Sequence, residues 1–239
     1  MIKLILIRLF TLFKIKVISF SKLEQNELLK FKFLLNLNIK TILDIGANEG
    51  QFAKIIRKAL PTAFIYSFEP IPQVFDTLRK NFSGDPYFKA FNLACGKTNE
   101  VIEFNKNNFS PSSSILEITS THTQNYIGTD KTTKISVQVV ALDSFKKEIN
   151  IIRPYVVKMD TQGYEKYILQ GGESVIKNAK VIFIELSYQP IYSEQALFPE
   201  IYNQLTQWGF IYHGNLEEGR SPISGEVLVS DGIFINTMD

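Results

Sequence analysis

The sequence predicts an α/β fold, with a mostly parallel central sheet, helices on both faces, an antiparallel β insertion and N-terminal helices. Three observations lead there. Short apolar runs alternate with helix-like stretches over residues 41–91 and again over 154–208, a pattern that builds a parallel sheet covered on both sides. The run Thr41-Ile-Leu-Asp-Ile-Gly-Ala-Asn-Glu-Gly50 reads as an apolar strand, a glycine-bearing turn and a helix start. Between the two alternating halves, residues 99–104 and 135–141 are β-like and separated by a Ser-, Thr- and Asn-rich stretch without helical period.

In chain order, residues 41–45 predict a buried strand, 49–59 a helix, 64–68 a strand, 72–82 a helix and 87–91 a further strand. The insertion follows, with a long loop over about 106–133, and loops of that length in compact domains are usually functional or mobile. Alternation resumes with a strand over 154–160, a helix over 163–170, a strand over 180–186 and a helix over 194–208. Two late strands, 209–213 and 232–236, complete the sheet. The expected division is an N-terminal basic and apolar helical segment, 1–40, ahead of one large domain, 41–239.

Composition sets limits. The chain has 239 residues, 45% of them hydrophobic and 21% charged, ordinary values for a globular protein with a well-buried core. A lone cysteine, Cys95, rules out an intramolecular disulfide, and with only His122 and His213 beside it a cysteine–histidine zinc site is not expected. Net charge is +2, too small to argue for nucleic acid. That average hides an asymmetry. Residues 1–40 carry eight Lys and Arg against Glu24 and Glu27, a balance of +6, which leaves −4 for the remainder. The first twenty residues are apolar but broken by Lys3, Arg8, Lys14 and Lys16, so a membrane-spanning helix is not expected. Neither is a signal peptide. Two readings stay open: a helix packed on the domain, or a basic amphipathic segment lying on an anionic membrane surface.

The glycine turn narrows the ligand. A dinucleotide fingerprint needs G-x-G-x-x-G, and Asn48 and Gln51 stand where its second and third glycines would fall. What remains, Asp44-x-Gly46-x-x-x-Gly50, suits a nucleoside ligand without a pyrophosphate, S-adenosylmethionine (SAM). In open α/β sheets ligands bind beyond the carboxyl ends of the strands, and the residues expected there are Asp44, Glu69, Asp160 and Glu185. Four acids suit a ligand with a sulfonium, an ammonium and a ribose diol. Glu69, followed by Pro70, is the expected partner of the ribose hydroxyls. Asp44 would orient the turn and meet the methionyl amine, while Gly46 and Gly50 allow close backbone approach.

The segment Asp160-Thr-Gln-Gly-Tyr-Glu165 resembles the D-[VT]-[EQ]-G-[AYF]-E motif of the FkbM family of SAM-dependent methyltransferases. Leu43–Gly50 resembles that family's first motif and Phe68-Glu69-Pro70 its second. Asn92-Leu-Ala-Cys-Gly96, Ser112–Leu116 and Val140–Phe145 also have counterparts, in order, so the resemblance covers about residues 40–236. It departs at Cys95, where a larger aliphatic residue is common, and at Gln162, where Glu is frequent. The resemblance implies a Rossmann-like class I methyltransferase fold and O-methylation, commonly of sugar or polyketide hydroxyls. The expected cofactor-binding set is Asp44, Gly46, Asn48, Gly50, Glu69, Pro70, Asn92, Ala94 and Asp160.

An acceptor hydroxyl gains from a positioned base, roughly 10²–10⁴-fold. Asp160 is the expected base, with Glu185 and Glu165 as rivals. Ser113, Ser114, Gln162 and Tyr164 are expected to touch the acceptor. His122, in the long loop, reads as a solvated histidine. The same carboxylates could instead present oxygens to Mg²⁺, a metal role less favoured than direct base catalysis, and no metal ligands are assigned. The expected partner is a small-molecule or glycan hydroxyl, such as a sugar of a polysaccharide, glycolipid or related natural product, and not nucleic acid, because the catalytic half is net negative. The expected compartment is the cytoplasm, at the inner face of the membrane if residues 1–20 dock there. The competing reading is a non-catalytic SAM- or nucleoside-binding scaffold subunit of a membrane-associated glycan assembly complex.

Overall fold

The computed structural model describes residues 20–237, so the segment 1–19, on which the membrane-surface reading rests, lies outside the described residues. Five strands, β1 (Thr41–Ile45), β2 (Phe64–Phe68), β3 (Phe88–Phe91), β7 (Tyr155–Met159) and β8 (Val181–Ser187), run parallel. They join β9 (Phe210–Arg220) and β10 (Val227–Asn236) in a seven-stranded sheet of order β3-β2-β1-β7-β8-β10-β9, with β10 antiparallel to both neighbours. The chain leaves β1 toward β2 and β3, then returns to place β7 on the other side of β1. Strand order therefore reverses between β1 and β7, where a crevice opens at the carboxyl ends of the strands.

Helices cover both faces. On one face lie α1 (Phe20–Lys30), a 3₁₀ turn over Lys32–Leu37 and α2 (Gln51–Ala59). Here Phe31, Leu34, Ile42, Ile56, Ile65 and Phe183 form one core. α3 (Pro72–Asn81) follows β2 and buries Val74 and Leu78. On the other face the larger core holds Leu43, Phe68, Val157, Ile168, Ile182 and Leu205. It is closed by α6 (Glu165–Gly171), α7 (Glu173–Ile176) and α8 (Phe198–Gln207), with α5 (Leu142–Phe145) alongside. The alternating burial of β10 and the fully buried β1 fit an outer and a central strand respectively.

The insertion is a second sheet of order β4-β6-β5, from β4 (Ala94–Cys95), β5 (Glu100–Asn107) and β6 (Thr132–Val140), with β5 and β6 antiparallel. Its inner face packs Phe104, Val137 and Val139 on Ile71 and Val74. The long loop is shorter than expected and not structureless. A 3₁₀ turn over Ser110–Ser112 and a short helix, α4 (Ser120–Asn125), are built into it, and Thr119 caps α4 by accepting from His122 N. β9 is also longer than expected. Its second half, Gly214–Arg220, is polar and looks like loop in sequence, yet it is an edge strand with one ladder to satisfy, and irregular register against β10 absorbs its glycines. Among the described residues, no helix is long and apolar enough to cross a membrane.

Candidate active site

The glycine turn sits at the switch point. Gly46 has φ +73°, and a Cβ there would lie 1.9 Å from the carbonyl oxygen of Asp160. The turn after β1 and the end of β7 thus touch, and Asp160 N donates to Ile45 O at 3.2 Å. Only glycine allows both the dihedral and the approach. Gly50, φ +87°, opens α2, and a Cβ there would meet Phe82 and Leu78. Its role is packing beneath the turn, and it does not line either cavity of the site.

Glu69 stands just beyond β2. It is 5% exposed, with Oε2 accepting from Asn48 N at 2.9 Å and Oε1 from Ile71 N at 2.8 Å. Burial pushes its carboxyl up to about 7 against those two bonds. Each oxygen keeps a lone pair free, so the group is presented ready to accept from a diol. Asn92 fixes the same turn, its Nδ2 donating to the Glu69 and Pro70 carbonyls at 2.9 Å each.

Glu69, Pro70, Ala94, Asn48, Gly46 and Asp160 share a cleft that also includes Ser113, Gln162 and Tyr164. Cys95 lines it too, its thiol driven upward by burial. A second cavity of about 970 Å³ opens on the α1–α2 face and shares Gly46, Asn48, Pro111 and Asp160 with the first. Asp160 is therefore the carboxylate at the junction of the two.

Asp44 lies inside β1 and is fully buried. Its neighbours in register are Ser67 on β2 and Lys158 on β7. Ser67 Oγ donates to Oδ2 at 3.3 Å, and Lys158 Nζ stands 3.5 Å from Oδ1. Lys158 also donates to Gly46 O at 2.8 Å and pairs with Asp160 Oδ2 at 3.6 Å. Desolvation opposes the ammonium, yet Asp160 and Asp44 hold its pKa above the ordinary value, while burial raises Asp44 despite Lys158. Asp44 therefore acts on the turn through Lys158, which clamps strand ends β1 and β7. The visible signal for Lys158 was a lone cation in an apolar strand run, Val156-Val157-Lys158-Met159.

Asp160 and Glu185 are brought together by Gln162. Its Nε2 donates to Asp160 Oδ1 at 2.9 Å and to Glu185 Oε1 and Oε2 at 3.1 and 3.2 Å. A left-handed φ of +58° at Gln162, followed by Gly163 at +93°, folds the turn so that the amide points back. Where Glu is frequent in the family, this amide places a donor between two acids. Burial first, then Asp160 and Glu165, raise Glu185 well above the usual carboxylate range. Glu165 lines neither cavity. Its Oε1 accepts from Thr161 N at 2.7 Å and Thr161 Oγ1 at 2.9 Å, bracing the turn, and burial pushes it to about 7. Among the described residues, no group of three or more His, Cys, Asp or Glu side chains is placed to hold a metal ion.

His122 is not solvated. It is 2% exposed, with Nδ1 3.1 Å from Thr129 Oγ1 and Nε2 3.2 Å from the Tyr192 hydroxyl, and burial lowers it to about 4. Tyr192 in turn donates to Gln162 Oε1 at 2.9 Å. Gln162 turns its NH₂ to the acids, so Tyr192 donates to its oxygen, while the neutral His122 ring stands between the hydroxyls of Tyr192 and Thr129, the latter donating to Tyr126 O at 2.7 Å. Ser113 Oγ accepts from Asn107 N at 2.9 Å at the cleft wall. The Ser114 hydroxyl is spent inside the fold, donating to Gln162 O at 2.7 Å.

The profile of the Methyltransferase FkbM domain matches residues 44–212, and the chain belongs to that family. The chain is 27% identical over 160 residues to the 2-O-methyltransferase NoeI of Sinorhizobium fredii (strain NBRC 101917 / NGR234), covering 64% of this chain and 66% of that protein. It is 24% identical over 143 residues to the hexuronic acid methyltransferase AglP of Haloferax volcanii, covering 60% of this chain and 54% of that protein. The chain thus spans about two thirds and about half of these relatives. The METTL16 MTase domain superposes with a TM-score of 0.50 at 13% identity, covering 94% of this chain and 71% of that chain, which establishes the Rossmann-like class I fold. Family and fold together imply use of SAM. The residues fit it: a Cβ-free cradle at Gly46, an acid for a diol at Glu69, and a cleft that joins the two.

Proposed function

We propose that the protein is an O-methyltransferase acting on a hydroxyl of a sugar, in a polysaccharide, glycolipid or related product, with Asp160 as the base. The observation that carries this is the position of Asp160 at the junction of the two cavities, tied to Glu185 by Gln162. The names of the two relatives, a 2-O-methyltransferase and a hexuronic acid methyltransferase, support a sugar acceptor.

SAM supplies a methyl group already activated on a sulfonium. Glu69 accepts hydrogen bonds from the ribose hydroxyls, and Gly46 and Asn48 line the path of the methionyl part. Asp160 accepts the proton of the acceptor hydroxyl while the oxygen gains the methyl. Gln162 holds that carboxylate in place, because its amide is anchored by Tyr192 at one end and Glu185 at the other. Ser113 and Tyr164 border the cleft on the Glu69 side of the base, Glu165 braces the turn, and Glu185, raised by burial, stands beside the base. Residues 41–239 form the methyltransferase domain in this reading, and 1–40 an appended segment whose Phe31 and Leu34 join the core.

Calorimetric titration of SAM, with and without Mg²⁺, followed by transfer assays on glycosides, tests the proposal. Wild type and Asp160→Asn should bind SAM equally, with only the wild type turning over. Binding that requires Mg²⁺ would move the acids to a metal role. Absence of SAM binding would favour the scaffold reading. Deleting residues 1–20 should abolish binding to anionic vesicles if that segment anchors the protein at the inner membrane face.

A further inference from the structure

We propose that the second cavity is the acceptor site, and that it takes a neutral glycosyl group and rejects sugars bearing a carboxylate. This rests on the O-methyltransferase reading above.

The cavity, about 970 Å³, lies between α1, the start of α2 and the β9–β10 hairpin. Its shared wall of Gly46, Asn48 and Asp160 gives an occupant access to the base from the side opposite Glu69. One wall is aromatic. Phe31, Phe52 and Phe183 meet in edge-to-face pairs with centroids 5.7, 5.6 and 5.9 Å apart, and Phe52 is only half-buried. The C–H face of a pyranose packs on such a surface.

The opposite wall offers acceptors for sugar hydroxyls: Asp231 deep in the cavity and Glu217 at its rim. Asp231 is paired in register with Glu185 across β10 and β8, so a line of carboxyls runs from the base outward. Among the described residues no donor occupies Asp231. Four acidic side chains line this cavity, Glu27, Asp160, Glu217 and Asp231, the last pushed up to about 7 by burial, against two lysines. Both lysines are already committed. Lys30 bridges Glu27 and Glu217, and Lys158 bridges Asp44 and Asp160. A uronate entering here meets like charge and finds no free cation among the described lining residues. A neutral sugar finds an apolar face and hydroxyl acceptors.

The test uses the full chain saturated with S-adenosylhomocysteine and matched pairs of methyl hexosides and methyl hexuronides in the gluco, galacto and manno series. Binding is read by saturation-transfer NMR and methyl transfer with labelled SAM. In at least one pair the neutral member should be preferred by about tenfold or more. Asp231→Asn should cut that preference several-fold. Leu216→Trp, which fills the cavity, should abolish sugar binding and leave SAM affinity within about twofold by calorimetry. Equal or better binding of the uronides, sugar binding intact in Leu216→Trp, or no sugar binding in any pair despite SAM binding would each overturn the proposal. Failure to bind SAM, seen without any sugar present, would instead overturn the methyltransferase reading on which it rests.

Discussion

Replacing Lys158 by Met is expected to destabilise the protein chiefly through Asp44, the fully buried acid it faces. In the native protein Nζ lies 3.5 Å from Asp44 Oδ1, an oxygen that accepts no hydrogen bond, and donates to Gly46 O at 2.8 Å. Removing one partner of a buried pair costs about 3–5 kcal/mol. Asp44 has an escape, because it can take up a proton. At pH 7 that proton costs about 4.4 kcal/mol against the ordinary aspartate value of 3.8, which caps the share of the penalty passing through Asp44. At pH 5 the cap is about 1.6 kcal/mol. The lost bond to Gly46 adds about 1 kcal/mol at either pH. Asp44 in the variant has a folded pKa raised above its unfolded one, so its stability is greatest at low pH and is lost as pH rises. Wherever Asp44 is ionised in the wild type and protonated in the variant, the gap between them widens by about 1.4 kcal/mol per pH unit. Urea unfolding of both proteins at pH 5, 6 and 7 reads this directly, and Asp44→Asn/Lys158→Met should recover most of the loss at pH 7. A penalty that is equal at pH 5 and 7, or that Asp44→Asn leaves untouched, would refute the reasoning.

Other outcomes follow from the same geometry. Because Glu69 titrates near 7 and binds a diol as the anion, SAM affinity should climb about tenfold between pH 6 and 8. Glu69→Gln should bind SAM about 10- to 150-fold more weakly and lose that pH dependence, both by calorimetry. In Gly46→Ala a methyl is forced to within 1.9 Å of the Asp160 carbonyl, so SAM binding should disappear and the melting temperature should drop; retained binding would show the strands to be less tightly joined. His122→Phe cuts the hydrogen-bonded chain that reaches Gln162 through Tyr192. It should lower kcat about 5- to 30-fold with SAM affinity unchanged, and an unaffected kcat would make the chain purely structural.

The strands that hold the cofactor cleft were legible because their sequence signals are local. TILDI and FIYSF are five-residue apolar runs closed by a glycine turn and by Glu-Pro, and β1 and β2 occupy those residues without a shift. Glu69, Asp160 and Gly46 were equally readable, since a strand's end fixes where its next residue must project. The second cavity was not readable, for a different physical reason. Asp231 precedes the expected strand 232–236, and β10 reaches back to Val227 only because β8 and the polar edge strand β9 pair with it. His122 looked solvated because a Ser- and Thr-rich loop carries no burial pattern. Its partners, Thr129 and Tyr192, lie seven and seventy residues away. In the proposed reading cofactor recognition is written in short motifs, whereas acceptor recognition depends on three segments, 27–31, 216–217 and 231, that meet through β9–β10 pairing and the packing of α1. Substitutions in those segments can retune the acceptor while the motifs, and with them the family resemblance, stay as they are.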